Sequence, residues 1–414
     1  MRALGIALVL VLVLVLAGCP RPGTGTGSGT GTATGANAGA WLADLDALVS
    51  GLATKHKNLY FKRSRAQLLA KKAQIARALA KRDGAQAALS LAELVAFVGD
   101  PHTRLELPRM ARLPLALYWF DDGVTIIAAA EAHADMVGAR LLSIGGKPID
   151  ELLRGASAFL PADNVAGRKL EAPRYVVLAP LLRRLGALAA GADKARVVVK
   201  SGDSERAVEV ATARDARSVR WRRVKMARTP LRDQKPRFVY WNTYLADKNT
   251  VYLRYRSCTQ MRGNPMTRFA PGMLRFIDMK KVARVIVDLR GNGGGNSRVL
   301  RPLVNGLAAR RARLALRVLI DRAVFSSALL NAIELRQLAG AKLVGEPTSG
   351  KPNHYGELRS FRLPRSGLRV FYSTKFFKKV DGDPATLSPD VTVGVRSAEL
   401  LAGKDPALEA ALSH

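Results

Sequence analysis

Cysteine and histidine are scarce in this chain, and their scarcity argues against two ways of building a protein. Only two cysteines, Cys19 and Cys258, occur among 414 residues, so no framework of several disulfides can hold the fold together. The five histidines show no HExxH or other metal-ligand spacing, so we predict no metal site and no cofactor. Cys258 follows residues 252–257, which predict a strand with period-2 alternation, and it has no histidine near it in sequence to activate it. Both features favour a buried structural thiol.

Acidic residues are half as common as basic ones. The chain has 33 Asp and Glu against 66 Lys and Arg, a formal net charge of +33, which indicates an anionic partner. The densest basic run, 214–237, contains Trp221, which could stack on a nucleic-acid base. Because the N-terminus predicts export, nucleic acid is disfavoured and an anionic envelope surface is the expected counter-charge. A solvated connector is the simpler interpretation of this run, and we prefer it because arginine is spread over the whole chain.

The chain has one continuous apolar run near its N-terminus, but this run is shorter than a membrane-spanning helix needs to be. Ala3 to Leu16 covers 14 residues, whereas a spanning helix needs about 20, so the run predicts an export signal. It ends in Leu-Ala-Gly-Cys19, which resembles the bacterial lipobox. That resemblance implies a lipid on Cys19 and anchoring in the cell envelope, most simply the outer membrane; an ordinary cleaved signal is the alternative. The Gly/Thr/Ala-rich residues 20–40 predict a flexible tether.

A glycine-rich turn is present, although the known nucleotide-binding patterns are missing. Residues 288–297 read DLRGNGGGNS and follow Ala283–Val287, an apolar run typical of a buried parallel strand. Glycines at a strand-to-helix turn let backbone N–H groups approach a ligand closely. No GxxxxGK[ST] pattern occurs, and Asn296 stands where a GxGxxG fingerprint needs glycine. A nucleotide site is therefore disfavoured, and an oxyanion hole is the other use of such a turn.

Two serines stand at a second strand-to-helix turn. Ser326 and Ser327 lie between a strand-like run and an apolar helical stretch that ends at Gly340. After the next short strand, Lys342–Gly345, a loop ends in Lys351. A serine at such a turn exposes its hydroxyl beside free helix-start N–H groups, and a buried lysine can act as its base. A plain N-cap serine and a solvated lysine are the alternatives.

Together these motifs resemble the C-terminal processing (tail-specific) protease family, which is related to the tricorn protease core. The likeness runs over roughly residues 238–393 as DLRGNGGGNS, helix, strand, DRAVFSSA, helix, strand and GEPTSGK. It implies Ser326 as nucleophile and Lys351, 25 positions later (351 − 326), as general base. It also implies an oxyanion hole at Gly294 and Ser327, and a polypeptide substrate. The implied fold is α/β, an α+β multidomain arrangement with a ClpP/crotonase-like catalytic core.

The motif set departs from the family at one position. Leu329 stands three residues after the predicted nucleophile, where many processing proteases have an acidic residue. This leaves open a catalytically weak or inactive member that binds peptides or envelope proteins, and a basic polyanion-binding lipoprotein is a third hypothesis. His354 is an alternative base. His102 lies in a turn, Gly99–Thr103, that resembles the DGHT turn of some family members, and it either stabilises that turn or acts in catalysis.

The predicted organisation has six segments: signal peptide with lipobox (1–19), linker (20–40), N-terminal helical module (41–112), PDZ-like β-rich module (113–212), basic connector (213–237) and catalytic core (238–414). The PDZ-like assignment rests on residues 138–149, and such domains bind a peptide by strand addition. A plain β-hairpin followed by a helix is the alternative.

Smaller features complete the prediction. In the helical module, Ser64 and Ser90 each begin a capping-box pattern, and Asp83-Gly84 separates the two helices. In the predicted core, residues 358–372 read as a closing hairpin. Glu346 and Asp390 are expected either to orient groups of the site or to serve structural roles.

Overall fold

A computed structural model of the protein describes residues 38–82 and 84–413. The predicted signal peptide, the lipid attachment at Cys19 and most of the linker lie outside the described residues, as does Asp83. Within the described ranges, no helix combines the length and apolarity that a bilayer crossing requires.

Eleven α-helices occur in the described ranges: α1 (Ala38–Lys55), α2 (Arg65–Leu79), α3 (Gly84–Val98), α4 (Ile149–Ala156), α5 (Val165–Tyr175), α6 (Ala179–Arg184), α7 (Met266–Met279), α8 (Arg301–Ala308), α9 (Ser327–Ala339), α10 (Ser397–Leu401) and α11 (Pro406–Ser413). The same residues contain sixteen strands: β1 (Arg104–Leu105), β2 (Leu115–Phe120), β3 (Gly123–Ala130), β4 (Arg140–Ile144), β5 (Lys147–Pro148), β6 (Lys194–Ser201), β7 (Ser204–Ala211), β8 (Trp221–Arg223), β9 (Tyr240–Leu245), β10 (Thr250–Tyr255), β11 (Arg284–Asp288), β12 (Ala315–Ile320), β13 (Lys342–Gly345), β14 (His354–Arg362), β15 (Arg369–Phe377) and β16 (Val391–Thr392).

Backbone contacts divide the described residues into two units. The parallel-sheet unit consists of residues 226–352 and 381–413, and the N-terminal unit of residues 38–82, 84–225 and 353–380. The border at residue 225 falls inside the predicted basic connector, and part of that connector is β8, which pairs with β3. The predicted hairpin forms as β14 and β15, but it pairs through β15 with β1 and belongs to the N-terminal unit. The six-segment organisation itself stays a prediction.

The parallel-sheet unit is built on a six-stranded sheet in the order β16-β13-β12-β11-β10-β9, in which β9 alone runs antiparallel to its neighbour. All six residues of β10 are buried, although the sequence around 252–257 predicted alternation. That prediction was wrong because β10 is an interior strand of the sheet, flanked by β9 and β11, and interior parallel strands are covered on both faces.

The topology gathers three loops at one edge of this sheet. Since β11, β12 and β13 are parallel neighbours, their carboxyl ends meet at the same edge. The glycine-rich stretch follows β11, Ser326 follows β12, and Lys351 follows β13. The three motifs singled out in the sequence therefore belong to one edge of one sheet.

The N-terminal unit contains two sheets. The larger follows the path β2-β3-β4-β6-β7, with β5 paired to β4 and β8 paired to β3, and the smaller has the order β1-β15-β14. The apolar, β-branched runs at 124–129 and 196–199 lie within β3 and β6. This arrangement does not by itself establish the PDZ-like module, which remains a prediction.

Of the two capping boxes predicted in the helical module, the structure confirms one and contradicts the other. The Ser64–Gln67 capping box is confirmed, because the Ser64 side chain accepts the Gln67 N–H and Gln67 returns a bond to the Ser64 N–H. The Ser90 capping box is wrong, since α3 already begins at Gly84 and the Ser90 hydroxyl donates to the Gln86 carbonyl one turn earlier. The linker prediction is also three residues too long, because α1 begins at Ala38.

Candidate active site

Ser326 has a strained backbone at the turn from β12 into α9. Its φ of 51° and ψ of −126° lie in a region that residues other than glycine rarely occupy. A nucleophilic serine at a sharp strand-to-helix turn has a backbone under this kind of strain, which presents its hydroxyl above the sheet edge. An ordinary N-cap residue is extended, so the conformation argues against the plain capping role.

Ser327 and Gly294 meet beside the predicted nucleophile. Ser327 is the first residue of α9, so its N–H belongs to the helix-start donors that no helical carbonyl accepts. Its hydroxyl donates to the Gly295 carbonyl at 2.7 Å. A β-carbon placed on Gly294 would lie 2.9 Å from both Ser326 Cβ and Ser327 N, and the φ of Gly294 is +107°. Glycine is required there because the two turns touch backbone to backbone.

The N–H of Gly294 already has an acceptor. It donates to Asn292 Oδ1 at 2.9 Å, so its assignment to an oxyanion hole requires that bond to be exchanged for a substrate oxygen. Asn292 is buried, its Nδ2 donates to the Tyr255 carbonyl at 3.0 Å, and its own carbonyl accepts the Phe325 N–H at 3.1 Å. Asn292 was not predicted from the sequence, although its place between two glycines of the turn was an available signal.

A single carboxylate ties the two turns together. Asp321 Oδ1 accepts the Gly291 N–H at 2.9 Å and the Ala323 N–H at 3.0 Å. The glycine-rich turn and the serine turn are thereby fixed to one side chain at the end of β12. Asp321 was not predicted as a site residue from the sequence, although an aspartate directly after a buried strand is a recognisable signal.

A buried charge network lies beneath the glycine-rich turn. The Arg290 guanidinium donates to Asp288 through Nε at 3.0 Å and Nη2 at 2.6 Å, and Arg254 Nη1 donates to the Asp288 carbonyl at 3.0 Å. The Tyr252 hydroxyl donates to Asp288 Oδ2 at 2.7 Å. Burial alone would raise the pKa of Asp288, but Arg290 and Arg254 outweigh burial and hold that pKa well below its usual range. Asp288 therefore stays ionised and structural.

Lys351, the predicted base, is held in an ion pair. Its Nζ lies 2.6 Å from Asp383 Oδ2, and the Lys351 side chain is 24% exposed whereas the Asp383 side chain is 70% exposed. The preceding residue, Gly350, packs on the serine turn, because a β-carbon there would lie 3.0 Å from Leu329 Cδ2 and 3.1 Å from Phe325 Cδ2. The loop of Lys351 thus lies against the residues that flank Ser326, with its amine engaged by a carboxylate.

Glu346 and Asp390 serve structural contacts. Buried Glu346 accepts from the Arg322 guanidinium, whose Nε lies 3.1 Å from Glu346 Oε1. Asp390 Oδ2 accepts the Leu343 N–H at 2.7 Å and an Arg336 N–H at 2.9 Å. Burial acts to raise the pKa of Asp390, but these donors lower it overall. Both carboxylates fasten the neighbourhood of β13.

The two candidate histidines meet each other in the N-terminal unit. The rings of His102 and His354 are stacked, with centroids 5.3 Å apart and an interplanar angle of 8°. Asp100 organises the turn: it accepts the backbone N–H of His102 at 3.0 Å and the Ser373 hydroxyl at 2.7 Å, and its Oδ2 lies 3.0 Å from His56 Nε2. Burial lowers the pKa of His102 to about 3, so this ring is neutral at pH 7.

Cys258 is confirmed as a buried thiol. It is fully buried, its Sγ lies 3.4 Å from Asn331 Oδ1, and burial raises its pKa to about 12. A thiol with that pKa is not a nucleophile at neutral pH. Its backbone does more: the Cys258 N–H donates to the Gly294 carbonyl at 3.0 Å and helps to shape the glycine-rich turn.

Comparison with solved structures shows what fold this is. The chain matches mature CPAF complexed with lactacystin at a TM-score of 0.65 and 13% identity, over 91% of this chain and 98% of that chain. Mature CPAF matches at a TM-score of 0.62 and 14% identity, over 90% of this chain and 96% of that chain. The photosystem II D1 C-terminal processing protease matches at a lower TM-score of 0.39 and 14% identity, over 89% of this chain and 98% of that chain. No protein-family model and no curated protein sequence matches the chain. The predicted fold class is confirmed.

Proposed function

We propose that this chain, whose fold is that of the C-terminal processing peptidases, is a serine peptidase that hydrolyses polypeptides. The observation that carries the proposal is the strained Ser326 backbone at a strand-to-helix turn, packed against Gly294. Strain of this kind costs on the order of 1–3 kcal/mol and persists where the surrounding structure enforces it for function. A capping serine has no need of it.

In the proposed mechanism, the Ser326 Oγ attacks a peptide carbonyl carbon as its proton passes to the base. In this mechanism the N–H of Ser327, at the start of α9, is one donor to the oxyanion, and Gly294 offers a second N–H once it leaves Asn292. Each such donor typically contributes about 2.7–4 kcal/mol to transition-state stabilisation. The tetrahedral intermediate collapses as the leaving amine takes a proton, and water then hydrolyses the acyl-enzyme.

Lys351 is the proposed base, and its ion pair sets a condition on that role. The Lys351 Nζ lies 2.6 Å from Asp383 Oδ2, and this contact has to open before Nζ can take the Ser326 proton. Substrate binding or movement of the exposed Asp383 would therefore have to precede catalysis. His354, the alternative base, lies in the N-terminal unit with His102.

The nucleophile is tested by replacing each of the two adjacent serines. Ser326→Ala is expected to lose casein cleavage and fluorophosphonate labelling, because no other hydroxyl occupies the strained position. Ser327→Ala keeps its backbone N–H and loses one bond to the Gly295 carbonyl, so it should retain labelling and activity within about tenfold. Both variants should show the wild-type circular dichroism spectrum. Undiminished cleavage by folded Ser326→Ala would refute the assignment.

We further propose that the peptidase is anchored to the bacterial cell envelope by a lipid on Cys19 and acts on envelope or extracellular polypeptides. The lipobox-like ending and the glycine-rich tether after it support this proposal. Growth with labelled palmitate should label the wild-type protein in the membrane fraction, whereas Cys19→Ser should be unlabelled. Equal labelling of both proteins would refute lipid attachment at Cys19.

A further inference from the structure

Arg290 is shared by two carboxylates that come from distant parts of the chain. One edge of its guanidinium binds Asp288, and the other binds Asp405 through Nη1–Oδ1 at 2.6 Å and Nη2–Oδ2 at 2.9 Å. The side chains of Asp288, Arg290 and Asp405 are 0%, 6% and 11% exposed. Arg254 also donates to the Asp288 carbonyl, and the charges of Arg232 and Asp233 lie close enough to interact with this network.

Arg290 is the residue that leads into the glycine-rich turn. Its backbone N–H donates to Asp288 Oδ1 at 3.0 Å, and the next residue, Gly291, donates to Asp321. The side chain of Arg290 is therefore an anchor for one end of the glycine turn (residues 289–296). Asp405 occupies half of that anchor, so the turn depends on a residue 115 positions away.

Asp405 belongs to the start of the last helix. Its Oδ1 accepts the Leu408 N–H at 3.1 Å, as an N-cap side chain does, while it also accepts from Arg290. The helix that follows, α11, buries Ala407, Leu408 and Ala411 in an apolar cluster with strand residues of the sheet. At its other end, the Leu412 carbonyl accepts from Arg284, the first residue of β11. The helix is thus bonded to β11 at its C-terminal end and, through Asp405, to Arg290 just after β11 at its N-terminal end.

We infer that Asp405 is a positioning residue: by holding Arg290 from the C-terminal helix, it sets the place of the glycine turn beside Ser326. This inference rests on the proposed peptidase function for its kinetic consequence, and on the hydrogen bonds alone for its structural one. Asp405 does not touch the reacting atoms, and its effect passes through Arg290 and the backbone of residues 291–294.

The kinetic test compares Asp405→Asn with two other variants. Asn keeps the size of the side chain but removes the charge, so the turn should loosen and kcat should fall by about 10- to 100-fold, because a misplacement of about 1 Å can cost about 100-fold. KM should stay within about twofold, since binding common to ground and transition states is untouched. Asp405→Glu keeps the charge but displaces the carboxylate, so its kcat should lie between those of Asp405→Asn and the wild type. Glu409→Gln, on the exposed side of the same helix, should behave as wild type.

Hydrogen exchange gives a readout that needs no activity. Amides of residues 289–296 should exchange at least tenfold faster in Asp405→Asn than in the wild type. In Glu409→Gln the exchange rates of the same amides should equal those of the wild type. Wild-type exchange in folded Asp405→Asn, with wild-type kcat, would overturn the inference while leaving the peptidase proposal intact. If the wild type shows no turnover at all, the peptidase proposal fails, and the exchange comparison still decides the role of Asp405. If Asp405→Asn does not fold, the same two measurements on Asp405→Glu decide the role of Asp405. The displaced carboxylate of that variant predicts an intermediate effect on both kcat and amide exchange.

Discussion

Lys351 shows how one contact governs the role of one residue. Its side chain is 24% exposed, and its amine lies 2.6 Å from Asp383, whose side chain is 70% exposed. This ion pair occupies the amine that a base would have to present to the Ser326 hydroxyl. A change at Asp383 would release the Lys351 amine, so a substitution of Asp383 tests the role of Lys351.

Asp383→Asn should raise kcat/KM severalfold if Lys351 is the base, because a neutral amide holds the Lys351 amine less tightly than a carboxylate does and the contact opens more readily. Steady-state kinetics with a peptide substrate, beside circular dichroism of the variant, measure the change. An unchanged kcat/KM, together with full activity in Lys351→Ala, would assign the base elsewhere. Lys351→Arg should be inactive, because arginine cannot act as a base.

At the scale of elements, the glycine turn and the serine turn form one structure. Asp321 binds both, Gly294 packs against Ser326, and the Ser327 hydroxyl returns a bond to Gly295. Gly294 and Gly293 are adjacent, yet their surroundings differ. A β-carbon on Gly294 meets backbone at 2.9 Å, whereas one on Gly293 meets nothing within 4 Å.

Gly294→Ala is therefore expected to reduce kcat by about 100-fold or more, because a methyl group would push the two turns apart and the φ of +107° is unfavourable for alanine. Gly293→Ala provides the matched control and should stay within a few-fold of wild type. Kinetics with a peptide substrate, beside circular dichroism of both variants, check the prediction. Similar losses in the two variants would show that the contact with the serine turn is unimportant.

At the scale of the whole molecule, a buried neutral histidine makes folding sensitive to acid. The pKa of His102 is about 3 in the folded protein, against 6.5 ordinarily, because burial disfavours the charged ring. Between these two pH values the unfolded chain binds a proton that the folded chain does not. The free energy of unfolding must then fall as the pH drops from 6.5 towards 3, by about 2 kcal/mol at pH 5 for this group.

His102→Gln should consequently flatten the change in stability between pH 7 and pH 5, even if it lowers stability at both. Urea unfolding at the two pH values measures the difference, and His133→Gln, at a half-buried position of the same unit, is the matched control for the loss of an imidazole. If His102→Gln loses as much stability on acidification as the wild type does, another group is responsible.

Local sequence determined the elements on which the site depends. Apolar β-branched runs, glycines at strand ends and helix stop signals located β11, β12, β13 and α9, with Gly340 in the left-handed conformation at the end of α9. The Ser64 capping box was readable for the same reason: both partners lie within one helical turn. These features depend on the conformational preferences of neighbouring residues, and those preferences are present in the chain before it folds.

Only the tertiary structure decided which groups pair across the chain. It joined Lys351 to Asp383, His102 to His354, the Gly294 N–H to Asn292, and Arg290 to Asp405. It also turned Ser90 from a predicted cap into a mid-helix residue, and it made β10 an interior strand buried along its whole length. Hydrogen bonds and ion pairs between distant residues depend on where the packed sheet and helices bring them, and no local preference encodes that placement.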